Sequence, residues 1–264
     1  MGLLRLLIVF LFFCLSLYAK INIAVSIEPE NFLIKNIAKQ KANVFVIVPK
    51  GASPHTYEPK PSTILSIQKA DLYFAIGVEF EKNWLNRFFD KNNYSKIIHL
   101  DKNITKINNN PHIWLNINNL LKMSKIVYQA LVLKDSANKN FYEKNFQYFQ
   151  SYLKKCKKSL KEQLKYKKNK VFMVFHPAFT YFANEFGLKQ IAIQVDGKDP
   201  SLKDILKIIK SAKENKIKTI ITSPEFSDKA AKIIAKEINA KVVKISPLDE
   251  NICGILNKIV QSLE

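Results

Sequence analysis

Apolar positions along this chain alternate between two periods. Ile21 to Ile27 is an apolar run of strand length, and Glu28 to Gln40 then carries Phe32, Ile34, Ile37 and Ala38 at helical steps. Asn43 to Val48 is a second apolar run, closed by Pro49, and reads as a buried strand. Pro61 opens a helix to Lys69, Leu72 to Ile76 is a third strand, and Val78 to Phe89 is a helix bearing Trp84, Leu85 and Phe88. Lys96 to Leu100 is a fourth strand. This βαβα order predicts a parallel sheet covered on both faces. A polar stretch from Asp101 to Pro111 follows, and Asn116 then stands where a helix N-cap would, ahead of Leu120, Leu121, Met123, Ile126, Val127 and Leu131.

The longest periodic stretch runs from Ala137 to Lys167. Tyr142, Phe146, Phe149, Leu153, Cys156, Leu160 and Leu164 recur every three or four residues. At ~1.5 Å per residue such a helix is roughly 45 Å long, more than one small domain needs, so it reads as a connecting rod. A coiled-coil dimer helix is the other reading. Its mixed aromatic and aliphatic stripe, flanked by Lys, fits that less well, and a monomer is expected. Beyond it the alternation resumes. Strands are predicted at Val171–Phe175, Lys189–Val195, Thr219–Thr222 and Lys241–Ile245, and helices at Pro200–Glu214, Ser227–Ile238 and from Asp249 to the end. The expected fold is therefore α/β, two βα lobes with parallel sheets joined by one long helix. The divisions are a leader at 1–19, a first lobe at 20–134, a linking helix at 135–168 and a second lobe at 169–264.

Composition narrows the function. The formal charge is +20, which raises nucleic acid as a partner. The excess is Lys rather than Arg and is spread along the chain beside Asn and Ile, so it reads as solvated surface, with weak attraction to anionic membrane as a further option. No GxGxxG or GxxxxGK occurs, which removes the common phosphate loops. Met1 to Arg5 is followed by an apolar run from Leu6 to Leu17, with Ala19 before Lys20. That pattern reads as a secretory signal peptide cleaved after Ala19, and Phe12 and Phe13 ahead of Cys14 are too bulky for a lipoprotein signal. An exported, periplasmic protein is expected. Cys156 and Cys253 then remain, either as one disulfide or as two buried thiols.

The chemistry gathers at strand ends. Gly51-Ala-Ser-Pro-His55-Thr-Tyr-Glu-Pro-Lys-Pro61 holds one Gly and three Pro, so it is a stiff loop presenting His55. His112 and His176 also follow predicted strands, and each of the three lies beside a proline. In open α/β sheets ligands sit beyond the carboxyl ends of strands, so the three imidazoles are expected to meet around one metal ion in the cleft between lobes. Each alone could be a satisfied surface histidine in a turn; repetition of the placement is what argues for a site. His99 lies inside a strand and reads as structural. Three neutral imidazoles suit Zn²⁺, with water, Asp249 or Glu225 as a fourth ligand. Phe179, Tyr181 and Phe182 read as core, or as walls of that cleft.

Three motifs carry a family resemblance. Gly51 to Ser62, Asn110-Pro-His-Ile-Trp-Leu115, and His176-Pro-Ala-Phe-Thr-Tyr-Phe182 with Glu185-Phe-Gly187 resemble the histidine motifs of the metal-binding proteins of bacterial ABC transporters. Val195 to Ser201 and Asn138 to Asn145 resemble further segments of that family. The likeness spans nearly the whole mature chain and is greatest to the zinc-uptake branch. It implies two lobes joined by a single helix with metal held between them, His55, His112 and His176 as ligands, and a membrane permease as partner. Histidine rather than glutamate at position 176 resembles the zinc branch. There are departures. Ser246 stands where the family often has Asp, Asn116 where Asp is common, and residues 101–110 lack the His- and acid-rich loop of many zinc members. The expectation is a high-affinity zinc-binding component that delivers Zn²⁺ to a permease, not an enzyme. Manganese or iron capture by the same fold is the alternative. A zinc hydrolase is a lesser one, since no HExxH-type motif occurs, and surface adhesion is left open.

Overall fold

The computed structural model describes residues 20–89, 93–194 and 198–263. The leader read at 1–19 lies outside them, as do Val195, Asp196 and Gly197 of the Val195–Ser201 segment.

The first lobe is a four-stranded parallel sheet in the order β2-β1-β3-β4. Its strands are β1 (Ile21–Val25), β2 (Ala42–Val46), β3 (Leu72–Ala75) and β4 (Ile97–His99), with helices α1 (Glu28–Ala38), α2 (Pro61–Gln68) and α3 (Glu79–Phe88) between them. Parallel strands need crossover connections, and a helix in each crossover can cover a face of the sheet. β1 and β3 are the apolar inner strands; Ala24, Val25, Tyr73 and Phe74 are fully buried. β2 corrects one expectation. It is an edge strand with Phe45 41% exposed, not a buried one, because it pairs only with β1. The burial predicted there sits just beyond it, at Ile47 and Val48, whose N–H groups continue the ladder to Val25 and Ser26.

Two helices follow, α4 (Ile117–Lys134) and α5 (Lys139–Lys165), the second led in by a short 3-10 turn at Ser136–Asn138. Asn116 caps α4 as expected, its Oδ1 accepting from Asn119 N–H at 2.9 Å. α5 is the long linking helix. Its stripe of Tyr142, Phe149, Leu153, Cys156, Leu160 and Leu164 is buried, and Phe146 is partly buried and stacked on Tyr128 with centroids 4.8 Å apart.

The second lobe repeats the first topologically. β5 (Val171–Val174), β6 (Lys189–Ala192), β7 (Thr219–Thr222) and β8 (Lys241–Lys244) form a parallel sheet in the order β6-β5-β7-β8. Its helices are α6 (Thr180–Phe186), α7 (Leu202–Glu214), α8 (Lys229–Ile238) and α9 (Ile252–Ser262). α6 has no counterpart in the sequence reading. Seven residues are too few to show a period, and the turn is closed by Gly187 in the left-handed region at φ +64. One apolar core runs through the first lobe, α4, α5, α9 and one face of the second sheet. A smaller core, with Met173, Ile220, Ala212 and Ile234, lies under α7 and α8. Among the described residues, no helix is long and apolar enough to cross a membrane.

Cys156 of α5 and Cys253 of α9 form a disulfide, which settles the pairing the sequence left open and ties the linking helix to the second lobe. The bridge joins residues 97 apart. By chain entropy a loop of that length is worth about 4–5 kcal/mol, and typical measured values are about 2–4. Cys156→Ala with Cys253→Ala is therefore expected to lower the thermal midpoint by several degrees, read by circular dichroism. An unchanged midpoint would show that α9 is held by its apolar face alone.

Candidate metal centre

His55, His112 and His176 converge. Each offers a ring nitrogen, and these atoms all lie within 4.8 Å of one another. Ring centroids are 6.3 Å apart for His55–His112, 5.5 Å for His55–His176 and 5.0 Å for His112–His176. The rings come from loops after β2, β4 and β5, all at carboxyl ends of strands. Matching topology in the two lobes turns those ends toward a common cleft.

Each ring is held differently. His55 sits half-buried in a Pro-rich loop. Gly51 turns at φ +84, the N–H groups of Thr56 and Tyr57 donate to Ser53 O, and Tyr57 packs on Phe80 at 5.8 Å. His112 is buried, with Trp114 5.1 Å from its ring. Asn110 Oδ1 accepts from both the His112 backbone N–H at 2.9 Å and the ring Nδ1 at 2.7 Å. A backbone N–H can only donate, so the Asn110 atom must be oxygen, and Nδ1 of His112 must carry the proton. Its Nε2 is then left with a free lone pair. His176 places Nδ1 2.7 Å from Gln194 Oε1 and stacks on Phe226 at 4.6 Å. Its Nε2 lies 3.3 Å from Nε2 of His112. With Nδ1 of His176 donating to Gln194 Oε1, both Nε2 lone pairs face each other, and a cation between them would relieve their repulsion. Two nitrogens bound tetrahedrally to Zn²⁺ at ~2.05 Å stand roughly 3.3 Å apart, so the pair has the bite of such an ion.

Electrostatics point the same way. Burial first, then the neighbouring His176 and His55, hold His112 well below its ordinary pKa. Burial pushes His176 down to about 4, against the Gln194 hydrogen bond, which works upward. His55 is lowered chiefly by burial. All three are thus neutral donors at neutral pH. Protons compete with a metal only for the metal-free site, so the competition sets in at the lowered pKa values rather than at 6.5. Affinity for a divalent metal is expected to begin its fall below pH 6.5, with His176 adding about tenfold per pH unit only below about pH 4, by competition with a fluorescent chelator. A steep fall starting at 6.5 would show that the rings titrate as free imidazoles.

The other candidates fall outside the convergent group. Glu225 lies after β7, and its carboxylate accepts from the hydroxyls of Ser223 and Ser246. Asp249 is exposed and accepts from Asn251 N–H at 2.9 Å. Both line a cleft of about 190 Å³ between the lobes, opposite Val48 to Gly51. His99 ends β4, exposed, 3.7 Å from Asp101 Oδ1. Phe179, Tyr181 and Phe182 are buried core, but Tyr181 does more. Its hydroxyl donates to Asn110 O at 2.6 Å and accepts from Ile107 N–H at 3.0 Å, pinning the His112 loop.

The sequence reading missed Asn110 and Gln194 as partners of the imidazoles. Asn110 was findable, since an Asn two residues before another residue is placed to bond that residue's backbone N–H. Gln194 lies 18 residues from His176 and has no local signal.

The model of the family described as ZnuA, zinc-uptake complex component A, periplasmic, matches residues 23–260. The high-affinity zinc uptake system protein ZnuA of Bacillus subtilis is 28% identical over 253 residues, covering 87% of this chain and 79% of that one. The manganese ABC transporter substrate-binding lipoprotein PsaA of Streptococcus anginosus is 26% identical over 229 residues, covering 80% and 74%. A crystal structure of ZnuA superposes with a TM-score of 0.86 at 32% identity, covering 92% of this chain and 97% of that chain. Two lobes, one linking helix and a family match over most of the chain lead to one conclusion: this chain belongs to the ZnuA family of metal-binding ABC-transporter solute-binding proteins, which are binding components and not enzymes.

Proposed function

We propose that this protein is the zinc-binding component of an ABC transporter. His55, His112 and His176 capture Zn²⁺ outside the cytoplasmic membrane, and the protein hands the ion to a membrane permease. It acts as an exported monomer, its leader being residues 1–19, and takes no part in nucleic-acid binding. One observation carries the choice of zinc. Among the described residues, the convergent group is three imidazoles without a carboxylate, and the far ring nitrogens of His112 and His176 meet amide oxygens. Imidazole donors suit zinc, whereas carboxylate, carbonyl and water suit manganese. The ion would keep an open position for water or, after a shift, for Glu225.

Manganese is the second reading, favoured by PsaA relatives whose identity is only slightly lower than that of the zinc relative. Elemental analysis of protein purified from the native exported fraction separates the two. About one zinc per chain is expected; manganese in its place would overturn the assignment.

A further inference from the structure

We infer that Asn110 yokes the two lobes into a fixed His112–His176 pair, leaving His55 as the ligand that moves. This rests on the metal-capture reading above. The Asn110 side chain is committed at both ends. Its Oδ1 accepts from His112, while its Nδ2 donates to Pro177 O at 2.9 Å and lies 3.2 Å from Thr180 Oγ1. Pro177 directly follows His176. A single planar amide therefore touches two ligand-bearing segments that are 64 residues apart in sequence.

The neighbouring bonds extend the yoke. Tyr181 holds Ile107 and Asn110 from the second lobe, and Trp114 Nε1 donates to Pro247 O at 2.8 Å. His112 belongs to the first half by sequence but is bonded to the second lobe on both sides. The His55 loop is the opposite case. Among the described residues, the hydrogen bonds of residues 50–58 run within the loop and to Pro49. Pro49, Lys50 and Gly51 border the open cleft that faces Ser246 and Leu248. The loop is held to the first lobe by Tyr57 against Phe80 and by buried Pro54 and Pro59, with no hydrogen bond among the described residues tying it to the second lobe, and it borders open space.

Capture then has an order. An ion meets His112 and His176 first, across their 3.3 Å gap, and His55 closes on it afterwards. Release to an acceptor begins with His55. Asn110 is a positioning residue, since it acts through His112 and through the segment after His176.

Hydrogen exchange on the mature chain, metal-free and zinc-loaded, tests this. Residues 107–117 should be protected without metal and change little on loading. Residues 50–58 should exchange fast without metal and slow at least tenfold with zinc. Asn110→Asp separates the two ends of the side chain, because it keeps the acceptor for His112 and loses the donor to Pro177. It should preserve the Nδ1–H tautomer of His112 by nitrogen NMR and speed exchange at 107–117, whereas Asn110→Ala, which removes the acceptor, should raise zinc dissociation about 10–100-fold. Asn110→Ala should also lose the single tautomer. Zinc slowing 107–117 as much as 50–58, or Asn110→Asp leaving exchange unchanged, would overturn the inference. Failure of the wild-type protein to bind zinc would instead sink the functional reading, and the metal-free exchange pattern would still decide this one.

Discussion

Replacing His55, His112 or His176 by alanine, one at a time, is expected to weaken zinc binding by about 10²–10³-fold while the fold persists. A four-ligand zinc site is worth about 10–16 kcal/mol, so one ligand carries roughly 3–4 kcal/mol, and ~1.4 kcal/mol is a factor of ten. The three losses should not be equal. His112 and His176 form the preset 3.3 Å pair, so either removal destroys the chelate, whereas His55→Ala leaves it standing. The fold should survive because none of the three belongs to a strand or a helix. Isothermal titration beside circular dichroism checks both halves. If two of the three variants bound zinc like the parent, the ligand assignment would be wrong.

Trp114→Ala should produce a large loss of stability. The indole is 1% exposed, and its N–H reaches Pro247 O across the lobe boundary at 2.8 Å. Truncating a buried Trp costs about 3–5 kcal/mol. For a chain of this size that is roughly 6–20 °C in the thermal midpoint. The same change removes a wall of the His112 ring, so zinc affinity should fall with it. Trp114→Phe separates the contributions. It keeps much of the buried area but leaves the Pro247 carbonyl without its donor, a cost of about 1–3 kcal/mol. A shift of under 1 kcal/mol for Trp114→Ala in thermal unfolding would mean that the indole fills space another side chain can take.

Much of the architecture could be read from the chain alone because the signals are local. Apolar residues at strand period or helical period mark elements wherever an element is long enough to repeat, and α5 repeats over seven turns. Strand-then-helix order dictates parallel sheets, and proline-flanked histidines just past strands sit where such sheets bind ligands. His55, His112 and His176 were therefore visible as a set, and the structure brings them within 4.8 Å.

What remained hidden depends on which segments become neighbours. β2 has the composition of an inner strand, but one-sided pairing with β1 puts Phe45 in solvent. Cys156 and Cys253 meet only because α9 packs along α5. Gln194 reaches His176 only because β6 lies beside β5. Periodicity and strand-end placement are properties of consecutive residues, so the sequence by itself determined the elements long enough to repeat and the three imidazoles. Sheet order, the disulfide and the amides that orient those imidazoles were decided by the tertiary structure alone, because contacts between distant residues leave no periodic trace in a single chain.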